Sequence, residues 1–173
     1  MEQCGPMSSL PDPALTGTSR SEPTSEPARD GGRPQPAPRS AYRRFVPVTT
    51  RWMDNDVYGH LNNVVYYSLF DTAVNRTLIE AGALDISGGE VIGVVVETHC
   101  DYFSPLAFPQ GVEAGLRVAH LGASSVCFSV GIFAEGGDQT AARGHFVHVY
   151  VDRATRRPVP LPERLRDVLQ ELT

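Results

Sequence analysis

Apolar positions recur with a period from Tyr42 onward and show almost none before it. Residues 42–52 are rich in β-branched and aromatic side chains and predict a strand, with Pro47 placing it at a sheet edge or a bulge. Val64, Val65, Leu69, Ala73, Leu78 and Ile79 fall near the helical spacing, and Tyr66, Tyr67, Phe70 and Val74 fill much of the rest. Residues 64–81 therefore predict a helix buried on more than one face, with Gly82 suited to end it. Residues 91–103 open on the run Val91 to Val96, continuous enough to predict a strand buried on both faces. Further strands are predicted at 111–120, 124–134 and 140–151. In the second of these Val126, Phe128, Val130 and Ile132 share one face, and in the last Val147, Val149 and Val151 do. Gly122-Ala123 and Gly136-Gly137 read as turns between strands, and Pro162 as the start of a short helix over 162–169.

The order is strand, long helix, then four strands joined by short turns. Parallel pairing needs long crossovers, so these four strands are expected to be antiparallel. One helix against one antiparallel sheet of about five strands is an α+β two-layer domain, assigned to residues 41–173. Residues 1–40 interleave Pro11, Pro13, Pro23, Pro27, Pro34, Pro36 and Pro38 with small and charged residues. Such a segment buries too little apolar surface to offset its ordering entropy, which predicts a disordered tail.

Composition narrows the function classes. A net charge of -5 over 173 residues argues against a nucleic-acid partner, which would normally call for a basic face. No apolar run nears the roughly 20 residues that span a bilayer, and the start lacks the basic and apolar regions of a secretory signal. Cys4, Cys100 and Cys127 are odd in number and widely spaced, which suggests reduced thiols and a cytoplasmic protein without a disulfide framework. No metal and no cofactor is expected: His145 and His148, three apart on a strand, point to opposite faces. Ser124 and Ser125 sit in a turn and no Gly-x-Ser-x-Gly elbow exists, which argues against a serine hydrolase. The Arg153–Arg157 cluster suits either phosphate contacts or a solvated surface.

The chemistry concentrates in Arg51-Trp52-Met53-Asp54-Asn55-Asp56-Val57-Tyr58-Gly59-His60-Leu61-Asn62-Asn63, directly before the long helix. If Asn62 is the N-cap, the N–H groups of Asn63, Val64 and Val65 are donors without helical partners. A carboxylate beside such donors can attack, or activate water, next to an oxygen that the amides polarise, which suits acyl transfer. One acid suffices for this. A second charge nearby would disturb the first, so Asp54 is read as structural and Asp56 as the reactive carboxylate.

Asp-x-Asp-x-x-Gly-His-x-Asn-Asn, an aromatic-rich helix and a Val-rich antiparallel run together resemble the hotdog-fold acyl-CoA thioesterases related to 4-hydroxybenzoyl-CoA thioesterase. The resemblance covers residues 43–152. It implies a sheet wrapped round the long helix, two protomers with paired sheets, and active sites at the subunit interface. It implies hydrolysis of an acyl-CoA, or of an acyl carrier protein thioester, by a homodimer or homotetramer. Asp56 matches the catalytic carboxylate, Asn63 the position whose amide polarises the thioester carbonyl, and Gly59 the glycine of the turn. Tyr58 and Asn62 flank these at the substrate. His60 has two readings, a catalytic one and one in which it holds the loop by hydrogen bonds. Some relatives use a glutamate from the helix, whereas Glu97 falls on a predicted strand, at its exit or paired. Phe103, Phe108 and Tyr102 are candidates to line an acyl pocket. The alternative is a non-catalytic acyl-CoA-binding module of the same fold.

Overall fold

The computed structural model describes residues 33–173. In chain order its elements are β1 (Arg44–Val48), α1 (Asn63–Glu80), β2 (Val91–Tyr102), β3 (Val112–Leu121), β4 (Ser125–Ala134), β5 (Ala142–Asp152) and α2 (Glu163–Gln170). The five strands make one antiparallel sheet in the order β1-β3-β4-β5-β2. Pro47 lies on edge strand β1, where a missing N–H costs the ladder nothing. β1 is shorter than predicted because the chain leaves the sheet after Val48 and turns through a 3-10 helix at Trp52–Asp54.

Short turns join β3, β4 and β5 as expected, whereas β2 pairs with β5 and not with its sequence neighbour β3. Residues 103–111 must cross the sheet to reach β3. Nine residues extend to about 30 Å, ample for crossing two strands spaced about 4.8 Å apart. The crossing makes β2 an edge strand, which overturns the prediction that it is buried on both faces. Val94, Val95 and Val96 are 39%, 42% and 58% exposed.

The sheet's inner face packs on α1. Val126, Phe128, Val130 and Ile132 of β4 line it as their alternation predicts. On β5 the period of two holds but the deeper face is the other one. Phe146, His148 and Tyr150 are buried against α1, while Val147 and Val149 are only half-buried on the outer face. The cross-strand pairs Phe128↔Phe146 and Val126↔His148 fix this choice. Gly144 lets the helix approach: a Cβ there would collide with the His99 carbonyl oxygen and stand 2.8 Å from the Phe70 ring.

α1 buries one broad face, Tyr66, Leu69, Phe70, Ala73, Val74, Thr77 and Leu78, and leaves Asp71, Arg76 and Glu80 in solvent. The expectation of burial on several faces fails for the single chain. Gly82 ends the helix at φ +65°, with its N–H on Ile79 and the Ala83 N–H on Leu78, the two bonds of a Schellman motif. α2 buries Leu165, Val168 and Leu169 in the same core.

Residues 34–40, assigned from sequence to the tail, lie on the folded domain. The Ala37 N–H donates to Thr140 Oγ1 at 2.9 Å, and Pro38 bridges Gln139. Just beyond them Tyr42, with Phe45 and Phe133, closes an aromatic cluster on the outer sheet face. Room for it comes from small residues: a Cβ on Gly131 would strike the Tyr42 phenol. The rest of the expected tail, residues 1–32, lies outside the described residues.

Candidate active site

Two aspartates two residues apart meet opposite environments. Asp54 is 4% exposed. Its Oδ2 accepts the Arg51 N–H at 2.7 Å and its Oδ1 takes the Arg51 guanidinium at 2.9–3.1 Å, closing the 3-10 turn. The guanidinium holds the Asp54 carboxyl below the usual carboxylate range, against the opposing effect of burial. The Asp54 carbonyl also accepts from the Asn62 N–H at 2.9 Å, which fixes the entry to α1.

Asp56 stands at the start of a tight turn. Its carbonyl accepts from Gly59 N–H at 3.1 Å, its own N–H donates to the His60 carbonyl at 2.8 Å, and Asn55 bridges Leu61. Gly59 closes the turn at φ +83°, a backbone conformation that side-chain-bearing residues avoid. Asp56 Oδ1 accepts from the Tyr58 N–H at 2.8 Å and the His60 N–H at 3.4 Å. His60 therefore reaches Asp56 through its backbone, and its imidazole is exposed.

Asn62 caps α1 as expected, and its capping revises the donor count. Val64 N–H is taken by Asn62 Oδ1 at 3.2 Å and Val65 N–H by the Asn62 carbonyl at 2.9 Å. Of the three amides expected to be available, Asn63 N–H alone has no acceptor among the described residues. It is the first amide of an 18-residue helix and carries the positive end of the helix dipole.

Outer residues hold this arrangement in ways the sequence did not signal. Tyr102 donates its hydroxyl to the Asn63 carbonyl at 3.2 Å and packs edge-on against Tyr66. Burial pushes the Tyr102 phenol well above its ordinary range, so it stays a donor. Asn55 accepts the Phe108 N–H at 3.0 Å, Leu61 N–H donates to the Leu106 carbonyl, and Phe108 meets Trp52 edge-on. The crossing segment thus supports the loop, and Phe108 and Tyr102 serve as its props. Around it Trp52, Met53, Val57 and Tyr58 are 75–93% exposed.

The other candidates separate from the loop. Glu97 pairs in register with Val147 on the outer sheet face and bonds His145 at 2.7 Å. His99 stacks on His145 and bonds Asp101 at 3.0 Å on that same face. His145 and His148 do face opposite sides. Arg153 donates to the Gly89 and Ile86 carbonyls. Among the described residues no group of three or more His, Cys, Asp or Glu side chains is placed to hold a metal.

A long helix laid against five antiparallel strands, entered through a carboxylate-bearing loop, is the hotdog architecture. Residues 48–169 match the model of the thioesterase-like superfamily, and the chain belongs to it. The PA5185 protein of Pseudomonas aeruginosa strain PAO1 is 57% identical, with a TM-score of 0.79 over 80% of this chain and 97% of that one. A thioesterase complexed with coenzyme A and Zn from Thermus thermophilus is 32% identical, with a TM-score of 0.63 over 76% of this chain and 95% of that one. A 1,4-dihydroxy-2-naphthoyl-CoA hydrolase of Synechococcus elongatus is 29% identical over 69% of this chain and 90% of its own length. In the described residues no helix is long and apolar enough to cross a membrane.

Proposed function

We propose that the protein hydrolyses an acyl-CoA thioester to a free acid and coenzyme A, with Asp56 as the reacting carboxylate and Asn63 N–H as the oxyanion donor. The observation that carries this is the open Asn63 amide at the head of α1, beside Val64 and Val65 amides that Asn62 already engages. A thioester carbonyl placed on that amide gains most as its oxygen becomes an oxyanion. Oδ1 of Asp56 is tied down by two N–H groups, so the second oxygen is the one turned to chemistry.

Two routes use these atoms. In one, Asp56 attacks the carbonyl carbon, the coenzyme A thiolate leaves, and water cleaves the resulting anhydride. In the other, Asp56 takes a proton from water, which attacks directly while the thiolate leaves and is protonated. Label in the Asp56 carboxylate after a single turnover in ¹⁸O-water requires the first route with water attacking the aspartyl carbon of the anhydride, whereas attack at the acyl carbon labels only the free acid, as the second route does. His60 holds the turn through its backbone, and Tyr58, Gly59 and Asn62 shape the surface that meets the thioester.

The working unit is a homodimer joined through β2. Its outer edge pairs with no strand among the described residues, and the exposed valines of β2 lie on the same protomer as the apolar rim of the loop. Three cysteines, odd in number and widely spaced along the chain, suit a reducing, cytosolic setting. Thiol release from a panel of aliphatic and aromatic acyl-CoAs, with wild type beside Asp56→Asn, tests the reaction. Loss of about 10³-fold or more in kcat in a folded variant is expected. Equal rates would remove Asp56 from the mechanism, and binding without turnover would favour an acyl-CoA-binding module. Light scattering reads the dimer.

A further inference from the structure

The turn that carries Asp56 is closed on itself. Asp56 N–H donates to the His60 carbonyl, Gly59 N–H to the Asp56 carbonyl, and the Tyr58 and His60 amides to Asp56 Oδ1. Among the described residues every hydrogen bond of residues 56–60 stays within that span, and Val57 and Tyr58 stand 93% and 82% exposed. Such bonds fix the shape of the turn but not its place against the rest of the fold. Its place is set at the base, where Asn55 bridges Leu61. The Leu61 N–H donates to the Leu106 carbonyl at 2.7 Å, a backbone bond open to any residue but proline. Asn55 makes the other attachment, and it does so with its side chain.

Asn55 Oδ1 accepts the Phe108 N–H at 3.0 Å, and Asn55 Nδ2 donates to the Phe108 carbonyl at 3.5 Å. One primary amide thus meets both backbone polar groups of one residue, and neither has another partner among the described residues. The Phe108 N–H needs an acceptor, which fixes the way round that the amide sits. The receiving segment is itself anchored. Phe103 and Ser104 N–H groups donate to the Ala141 carbonyl, and Leu106 is 2% exposed. Charge explains why this residue is an amide and not an acid. Asp54 and Asp56 flank it, and a third carboxylate would oppose the ionisation of Asp56.

We propose that Asn55 is a positioning residue for Asp56: its amide, held on Phe108, sets where the self-closed turn places the reacting carboxylate relative to the Asn63 amide. This rests on the hydrolase reading above. The Asn63 side of the site has supports of its own, the Asp54 carbonyl on the Asn62 N–H and the Tyr102 hydroxyl on the Asn63 carbonyl. Releasing Asn55 therefore shifts the carboxylate and leaves the oxyanion donor in place. A misplacement of about 1 Å between reacting groups costs roughly 10²-fold in rate.

The test is steady-state hydrolysis of an acyl-CoA that the wild type turns over, with circular dichroism as the control for folding. Asn55→Ala should lower kcat by about 10²-fold and leave KM within about threefold of wild type. Asn55→Asp keeps an acceptor for the Phe108 N–H and should recover most of that loss at about pH 8, well above the carboxylate range. Added to Asp56→Asn, Asn55→Ala should change the residual rate by less than about twofold, because no carboxylate remains to be placed. Wild-type kcat in Asn55→Ala, a loss that Asn55→Asp does not recover, or an equal loss in the Asp56→Asn background overturns the proposal and leaves the hydrolase reading standing. Failure of Asn55→Ala to fold would make the residue a support of the whole domain and overturns the proposal as well. No hydrolysis of any acyl-CoA by wild type overturns both.

Discussion

The two ends of α1 solve the same problem in opposite ways. At the C-terminal end Gly82, Ala83, Arg153 and Asp85 engage the outer polar groups, and the unpaired atoms, His148 Nε2 and the Tyr150 hydroxyl, lie deep inside. At the N-terminal end the deep group is paired, Asp54 to Arg51, and the open donor, Asn63 N–H, lies at the surface. An open donor in solvent costs little because water serves it. An open donor in the core costs about 1–3 kcal/mol. The surface arrangement suits a reacting group that must meet successive substrates.

Removing the surface donor breaks the comparison most sharply. Asn63 is the first helical residue, where proline is tolerated, and Asn62 ahead of it already has an extended backbone (φ -58°, ψ 139°). Asn63→Pro should therefore fold while lowering kcat by about 10²–10³-fold, read by thiol release with circular dichroism as the control. Retained turnover would show that another donor serves the oxyanion.

The deep group should reveal itself through pH. His148 titrates near 4 in the folded protein and near 6.5 when unfolded, so the unfolded chain binds the extra proton between those values. Stability is then fully present above pH 6.5 and falls as pH drops toward 4, by on the order of 3 kcal/mol. Urea denaturation of wild type and His148→Phe across this window checks it. The variant's curve should be flatter, and parallel curves would mean that His148 is not the group responsible.

The two ends also differ in how far they could be read from sequence. The loop was legible because its elements are local: a cap, a glycine turn and a carboxylate within eight residues, each with a chemical reason. Even so, the sequence could not say which of Asn63, Val64 and Val65 keeps an open N–H, since that depends on where the Asn62 side chain and carbonyl point. The burial of His148 and Tyr150 was not legible. Alternation along β5 reports a period of two but not which face lies inward, and valines suggest the wrong one. The face is set by β4 and α1, which are distant in sequence. The exposed edge of β2 was hidden for a related reason, as its pairing with β5 skips two strands.

Asp54 sharpens the contrast within the loop. Asp54→Ala removes the side-chain acceptor that closes the 3-10 turn and unpairs Arg51, and should cost about 1–2 kcal/mol, seen in urea denaturation. Activity should fall only as far as the loop loosens, and saturating substrate should restore much of it. Asp56→Asn should show the reverse, a stable protein without turnover.

The smallest expected effect lies at the sealed end. Arg153→Gln withdraws donors from the Gly89 and Ile86 carbonyls, which are near enough to solvent for water to replace much of the lost bonding. The cost should be about 1 kcal/mol, a fall of roughly 2–4 °C in Tm for a domain of this size, read by calorimetry. Turnover of acyl-CoAs should stay near wild type, because Arg153 bonds the segment before β2 and not the loop that carries Asp56. A large loss of kcat with little change in Tm would contradict that division. It would assign the Arg153 guanidinium to the substrate and make the sealed end of the helix part of the reacting one.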